Sequence, residues 1–219
     1  RDRCTDATLS IEDFPWLTSA NLQVADQSLL ALRMSYAGEN GWELHGPRDV
    51  MLPVYDALWS AGERFGILDY GSFAMNVMRM EKGFRGAGEL TNEVTLPEAD
   101  VMRFVKMDKG DFLGRDKTAE SLDADAPWKC VYLSVEPDGK ADGNGGEAVL
   151  LDGQQVGVTS SMAYGHTVGC ILAFAYVETR AAAAGTHLDV VIMGRTRAAT
   201  VLDKPAYDPA NRRPRGMQV

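Results

Sequence analysis

Residues 36–44 combine side chains that could bind a small polar ligand. A phenol at Tyr36 and a carboxylate at Glu43 flank a tight turn that contains Gly38 and Gly41. A carboxylate offers two acceptor oxygens to a planar edge that carries N–H and NH₂ groups, and such a pair is charge-assisted. Guanidine-like rings such as pterins present this edge, so Glu43 and Tyr36 are candidate binding residues. An ordinary hairpin with acidic surface side chains would show the same pattern.

A second segment, residues 79–95, places a positive charge beside a glycine-rich stretch. Arg79 could bind a ligand that carries a carboxylate, because a guanidinium stays charged and presents a planar fork of donors. Gly83, Gly86 and Gly88 would let the backbone run close to a ligand or to another strand. The alternative is a charged helix end followed by a loop.

Other kinds of site chemistry have little support in the sequence. It contains no GxGxxG, Walker, HExxH or GxSxG motif, and its three histidines lie far apart. We therefore assign no catalytic residue and expect no metal site. Three cysteines without a CxxC pair are typical of a reduced cytoplasmic protein with buried thiols.

The composition argues against two classes of partner. Lys and Arg number 22 against 31 Asp and Glu, and the resulting net charge of −9 opposes binding to phosphate backbones and anionic lipid. Hydrophobic residues make up 45% of the chain, as in ordinary globular proteins, yet no apolar run approaches the ~20 residues of a membrane span. We therefore predict that neither nucleic acid nor a membrane is a partner.

The first part of the chain predicts mixed α and β structure. Alternating apolar residues over 20–36 predict a hairpin with its turn at Asp26 and Gln27, and residues 42–45 predict a further strand. Helical spacing then predicts a helix with Asp49 as its N-cap and Gly62 at its end.

The middle of the chain predicts less regular structure, and the end predicts only strands. A second helix is expected over 69–83, an ordered loop over 84–100 and a short helix over 116–120. Glycine-rich turns separate the later strands, which is typical of a small antiparallel barrel or sandwich. The predicted strands are 129–136, 148–151, 155–161, 171–178, 187–193 and 197–202.

The order of these elements predicts an α+β domain over 1–120, a linker over 121–127 and an all-β domain over 128–219. The linker is rich in Asp and Ala and ends in Pro127, which marks a change in the character of the chain. A half-built α+β domain would expose apolar surface, so we expect a homodimer, a swapped partner or a tendency to aggregate.

Four motifs occur in order and together resemble one known family. They are Tyr-x-Gly-Glu-x-Gly-Trp-Glu-Leu at 36–44, Arg-Met-Glu-Lys-Gly-Phe-Arg at 79–85, Glu-Leu-Thr-Asn-Glu-Val-Thr-x-x-Glu-Ala at 89–99 and Lys-x-Asp-Lys-Gly-Asp-Phe-x-Gly-Arg at 106–115. The sequence is similar to the folate-binding aminomethyltransferases, which include the glycine-cleavage T-protein. Within this family, the sequence is most similar to the C-terminal part of dimethylglycine and sarcosine dehydrogenases.

The resemblance implies a site for tetrahydrofolate in a central channel. It implies that Glu43 binds the pterin edge, that Tyr36 packs or hydrogen-bonds beside it, and that Arg79 belongs to the same folate site, where it binds a ligand carboxylate or orients Glu43. It also implies that 1–120 is the C-terminal portion of the folate-binding domain and that 128–219 is the family's β-barrel.

The resemblance further implies a part in N-demethylation. A flavin domain would oxidise an N-methyl amine to an iminium, and tetrahydrofolate would accept the one-carbon unit as 5,10-methylenetetrahydrofolate. The family's catalytic aspartate is expected upstream, in the N-terminal part of the fold, and the FAD site in a missing or partner domain, so we expect this chain to be incomplete for catalysis. Two alternatives remain: a tetrahydrofolate-dependent demethylase that acts on a sulfonium or aryl ether, and a non-catalytic folate-binding subunit.

Overall fold

The computed structural model describes residues 4–5, 7–123, 126–139 and 143–217. These residues form two compact units. The first unit holds the chain up to Met78 and again from Asp208, and the second runs from Arg79 to Tyr207. None of the helices in the described part of the chain has the length and hydrophobicity that crossing a membrane requires.

A three-stranded antiparallel sheet leads the first unit, with the order β1 (Ser19–Val24), β2 (Gln27–Leu32) and β3 (Glu43–His45). The hairpin is confirmed, but its turn lies at Ala25 and Asp26, one residue earlier than predicted. Both residues have positive φ, of 49° and 61°, as the central residues of a two-residue type I′ turn require.

Strand β2 ends four residues before the predicted end at Tyr36. The next residue, Arg33, is buried, and its Nη1 donates hydrogen bonds to the carbonyl oxygens of Leu9, Ser10 and Phe14. The guanidinium of Arg33 therefore lies in the interior of this unit, at a position where the alternation of apolar residues predicts that the strand continues.

Helix α1 (Arg48–Gly62) packs against the sheet through a core of Val24, Leu29 and Val54. Its predicted N-cap is wrong: Pro47 occupies that position, and Asp49 lies in the first turn. An acidic side chain in the first turn still favours the helix, because the N-terminal end of the helix dipole is positive.

Helix α2 (Ser72–Glu81) begins in the first unit and ends in the second. It is shorter at both ends than the helix predicted over 69–83. The segment 84–100 contains neither helix nor strand, as predicted, and α3 (Arg115–Asp123) extends the short helix expected over 116–120.

The predicted linker, 121–127, overlaps the end of α3, and its residues 124 and 125 lie outside the described ranges. The division of the chain into domains at this linker stays a prediction.

The second unit contains a closed six-stranded antiparallel barrel in the order β4-β7-β6-β5-β8-β9, so the predicted all-β part is a barrel and not a sandwich. Alternate residues such as Leu133 and Val190 fill its interior. The strands are β4 (Trp128–Val135), β5 (Ala148–Leu151), β6 (Gln154–Gly165), β7 (Cys170–Glu178), β8 (His187–Ile192) and β9 (Arg195–Leu202).

Strands β4 and β7 are buried on their outer face as well as inside the barrel. Tyr132 and Phe174 lie on this face, and the Tyr132 hydroxyl donates to the carbonyl oxygen of Met80, 2.6 Å away. Cys130, on the same face, donates from its backbone nitrogen to the carbonyl of Glu98. The end of α2 and the segment that follows it therefore cover this side of the barrel, which explains the nearly continuous apolar runs in these strands.

The cysteines only partly match the prediction of buried thiols. All three are free, but only Cys130 is buried, whereas Cys4 and Cys170 are half-buried.

Candidate functional site

Glu43 is an exposed carboxylate at the first position of β3, where it pairs with Leu32 of β2. Its side chain is 46% exposed, and its Oε2 lies 3.4 Å from Nε2 of His45. This distance gives at most a weak interaction. Glu43 therefore has acceptor capacity for donors from outside the unit.

Tyr36 lies in the turn that leads from β2 to β3 and is 38% exposed. The turn is closed by a hydrogen bond from the backbone nitrogen of Gly38 to the carbonyl of Ser35, and Gly38 adopts a positive φ of 76°. Gly41 passes so close that an added Cβ would lie 3.3 Å from the Cβ of Ser35. The glycines identified in the sequence thus make this turn compact.

The side chain of Arg33 contacts this turn, and Arg33 was not among the site residues predicted from the sequence. Its Nη2 donates to Oδ1 of Asn40 at 3.0 Å, and its guanidinium carbon lies 5.0 Å from the ring centroid of Trp42. Burial lowers the pKa of Arg33, opposed by the charge of Glu12. The residues directly before Glu43 are therefore anchored to a buried cation. The only signal in the sequence is an arginine in an otherwise apolar strand pattern.

Arg79 belongs to the second unit, in the last turn of α2, and is 5% exposed. Its Nη1 donates to Oε2 of Glu89 at 2.9 Å and to the carbonyl of Phe84 at 3.0 Å. Its guanidinium carbon lies 5.8 Å from the ring centroid of Phe174. Arg79 is therefore a buried, ion-paired cation and not a solvated helix end.

Glu89, the partner of Arg79, is fully buried. Besides Arg79, it accepts hydrogen bonds from the backbone nitrogen of Gly86 at 2.6 Å and from the hydroxyls of Ser160 and Ser161. The sequence analysis includes Glu89 in a family motif but gives it no role.

The three predicted site residues thus fall in two units. Glu43 and Tyr36 lie in the same turn-and-strand segment of the first, and Arg79 lies in the second. Their joint role in ligand binding stays a prediction. Within the described ranges, no three His, Cys, Asp or Glu side chains come together as metal ligands would.

A groove of about 610 Å³ on the barrel contains none of the predicted site residues. Its charged lining residues are the acidic Glu136, Asp152 and Asp189, joined by His187. This lining is unsuited to a ligand that carries carboxylates, because like charges repel.

Comparison with known families covers both parts of the chain. Residues 2–109 match the GCVT N-terminal domain, and residues 129–208 match the glycine cleavage T-protein C-terminal barrel domain.

Individual relatives are much longer than this chain. Dimethylglycine dehydrogenase, mitochondrial, of Mus musculus is 34% identical over 96% of this chain and 25% of its own length. The 4-methylaminobutanoate oxidase (formaldehyde-forming) of Paenarthrobacter nicotinovorans is 38% identical over 89% of this chain and 24% of its own length. The chain therefore spans about a quarter of the length of these relatives.

A solved structure shows the same fold. The glycine cleavage system aminomethyltransferase T from Bartonella henselae aligns with a TM-score of 0.78 and 22% identity, over 89% of this chain and 53% of that one. The two family matches, the dehydrogenase relative and the shared fold agree with the ordered motifs. This chain belongs to the glycine cleavage T-protein family of aminomethyltransferases, which includes a region of dimethylglycine dehydrogenase.

Proposed function

We propose that this chain binds tetrahydrofolate and forms the one-carbon-accepting part of an enzyme that demethylates an N-methyl amine. The observation that carries the proposal is Glu43, an exposed carboxylate on the strand that directly follows an anchored turn, within the family's motif. The names of two relatives point to the substrate class, because dimethylglycine and 4-methylaminobutanoate both carry a methyl group on nitrogen.

The donor and acceptor chemistry of the residues fits a reduced folate. Glu43 supplies two acceptor oxygens for a pterin N–H/NH₂ edge, and Tyr36 supplies an exposed phenol seven residues earlier. Arg79 supplies a guanidinium whose charge is already balanced by Glu89, which suits hydrogen bonding to a polar ligand atom without adding net charge.

Glu43 and Arg33 have separate tasks in this mechanism. When bound, tetrahydrofolate supplies the nitrogens that accept the one-carbon unit and yield 5,10-methylenetetrahydrofolate. Glu43 fixes the orientation of the ligand through its two oxygens, and the bonds of Arg33 hold the segment before Glu43 in place. Such positioning can account for ~7–11 kcal/mol of a barrier, because it replaces a chance encounter by a fixed approach. In this proposal the catalytic aspartate comes from the upstream part of the fold, and FAD would be held by a flavin domain.

Titration calorimetry with 5-formyltetrahydrofolate tests the proposal directly. We expect saturable binding by the wild type and a Kd at least about tenfold weaker for Glu43→Ala, since a hydrogen bond to a charged group is worth about 1.5–3 kcal/mol. Glu63→Ala removes an exposed carboxylate directly after α1; it is the matched control and should bind like the wild type. No binding by the wild type, or equal binding by Glu43→Ala, would contradict the proposal.

The first unit also exposes large apolar side chains, for which we propose a partner surface. Leu52, Phe65, Leu68 and Phe73 are 66%, 76%, 81% and 87% exposed, and they lie on α1, on α2 and between them. A contiguous apolar surface of several hundred Å² marks an interaction site, and we propose that these four side chains contribute to one. We propose that a second copy of this chain covers it.

Sedimentation velocity tests the partner surface. We expect the wild type to sediment as a dimer, and Leu68→Ser with Phe73→Ser to shift it toward the monomer. Leu113→Ser, which removes an exposed leucine from the second unit, is the control and should leave the dimer intact. A monodisperse wild-type monomer would contradict the proposed homodimer.

A further inference from the structure

We propose that Glu89, Ser160 and Ser161 are positioning residues that hold Arg79 in one orientation. The barrel would then do more than complete the fold, because its strand β6 sets the direction of a cation from α2. The use of Arg79 in ligand binding rests on the proposed function, whereas its fixation by these three residues does not.

The two oxygens of Glu89 have different partners. Oε2 accepts from Nη1 of Arg79 at 2.9 Å and from the backbone nitrogen of Gly86 at 2.6 Å. Oε1 accepts from the hydroxyl of Ser160 at 2.8 Å and from that of Ser161. A buried carboxylate is tolerated only when it is paired and hydrogen-bonded, and here both oxygens are occupied. The carboxylate therefore cannot turn without breaking bonds to the loop or to the barrel.

An irregularity in β6 brings two adjacent serines to the same carboxylate. In a regular strand, neighbouring side chains point to opposite faces of the sheet. The register of β6 against β7 shifts between Thr159 and Ser161, as in a β-bulge, which reorients side chains at this point. Ser160 and Ser161 can therefore both donate to Glu89.

The approach of the loop to this bulge needs a residue without a side chain. A Cβ added at Gly88 would lie 3.0 Å from the hydroxyl of Ser161 and 3.1 Å from the carbonyl oxygen of Ser160. One position further, the hydroxyl of Tyr176 on β7 donates to the carbonyl of Glu89 at 2.7 Å. Both the backbone and the side chain of Glu89 are thus bonded to the barrel.

Arg79 is consequently ordered before any ligand arrives. Its Nη1 is shared between Glu89 and the carbonyl of Phe84, and its guanidinium lies near the ring of Phe174. A long side chain normally loses rotamer freedom when it binds a ligand, and a side chain already fixed avoids that loss.

Hydrogen exchange of the Arg79 guanidinium protons, followed by NMR, tests the fixation without any ligand. We expect slow exchange in the wild type, exchange about tenfold faster in Glu89→Gln, and an intermediate rate in Ser160→Ala with Ser161→Ala. The serine variant keeps the ion pair, so it reports on the barrel's contribution even if Glu89→Gln folds poorly.

A matched control removes a different ion pair from the same unit. Asp138→Asn weakens the pairing of the buried Arg197, whose Nη2 lies 2.9 Å from Asp138. Asp138→Asn should change the rate of hydrogen exchange at the Arg197 guanidinium and leave the rate at the Arg79 guanidinium as in the wild type. Unchanged exchange at Arg79 in both Glu89→Gln and the serine variant would overturn the inference.

A double-mutant cycle on the Kd for 5-formyltetrahydrofolate separates positioning from general stability. If Glu89 acts through Arg79, Glu89→Gln weakens binding about tenfold in the wild type but changes it less than about twofold when Arg79→Gln is already present. Equal weakening in both backgrounds would mean a merely structural role. Absence of wild-type binding would defeat the proposed function alone, since the exchange experiment still decides whether Arg79 is fixed.

Discussion

Replacing Phe174 with alanine is expected to lower the free energy of unfolding by about 3–5 kcal/mol, the cost of deleting a buried aromatic side chain. Phe174 is fully buried on β7. Its ring centroid lies 5.1 Å from that of Tyr132, and the guanidinium carbons of Arg79 and Arg85 lie 5.8 Å and 5.3 Å from it. The truncation leaves a cavity and removes a favourable ring contact from the buried Arg79 and the half-buried Arg85.

Urea unfolding, monitored by hydrogen exchange at the backbone amides of the barrel, measures this loss of unfolding free energy in the barrel itself. Phe174→Leu, which keeps most of the volume, should lose less than the alanine variant. Phe104→Ala is the surface control, because Phe104 is 74% exposed and should change the free energy of unfolding by no more than about 0.5 kcal/mol. Equal losses at positions 174 and 104 would refute the view that the outer face of the barrel is a core.

Periodicity in the sequence predicts the barrel well, because its strands are short, apolar and separated by glycine-rich turns. It predicts the first unit less well where single residues decide the geometry. The apolar alternation continues past Leu32, but the strand ends there, and the next residue, Arg33, places a buried guanidinium against three carbonyl groups. Pro47 takes the N-cap position that the side chain of Asp49 could have filled, and no local pattern distinguishes the two.

The candidate site also has one part that the sequence predicts and another that it does not. Glu43 is placed on a strand after a glycine turn, as the local pattern predicts, because the turn and the strand are neighbours in sequence. The network around Glu89 joins residues that lie 71 and 72 positions apart and depends on the register shift in β6. Neither the distance along the chain nor the shift leaves a local signal, so a sequence pattern finds Arg79 but not what holds it.

Cys130 should react with a thiol reagent at pH 8 about a hundredfold more slowly than an exposed cysteine. Burial raises the pKa of its thiol from 9.0 to about 11, although the nearby Arg85 guanidinium opposes this by favouring the thiolate. Only the thiolate is nucleophilic, so two pH units reduce the reactive fraction about a hundredfold before any loss of access is counted. Arg85 is itself paired with Asp100 at 2.8 Å, which limits how strongly it can favour the thiolate.

Mass spectrometry of the alkylated chain gives each cysteine its own rate, and the half-buried Cys4 and Cys170 serve as internal controls. We expect both to be modified well before Cys130, and all three to react at similar rates in urea.

The unfolded chain releases the Cys130 proton at a lower pH than the folded one, so this thiol stabilises the fold below pH 9 and loses that contribution as the pH rises toward 11. Cys130→Ala should therefore flatten the fall of the unfolding free energy between these values. Rapid alkylation of Cys130 at pH 8 in the folded chain would mean that the segment over β4 opens readily, and the positions of Arg79 and Glu89 beside it would then not be fixed.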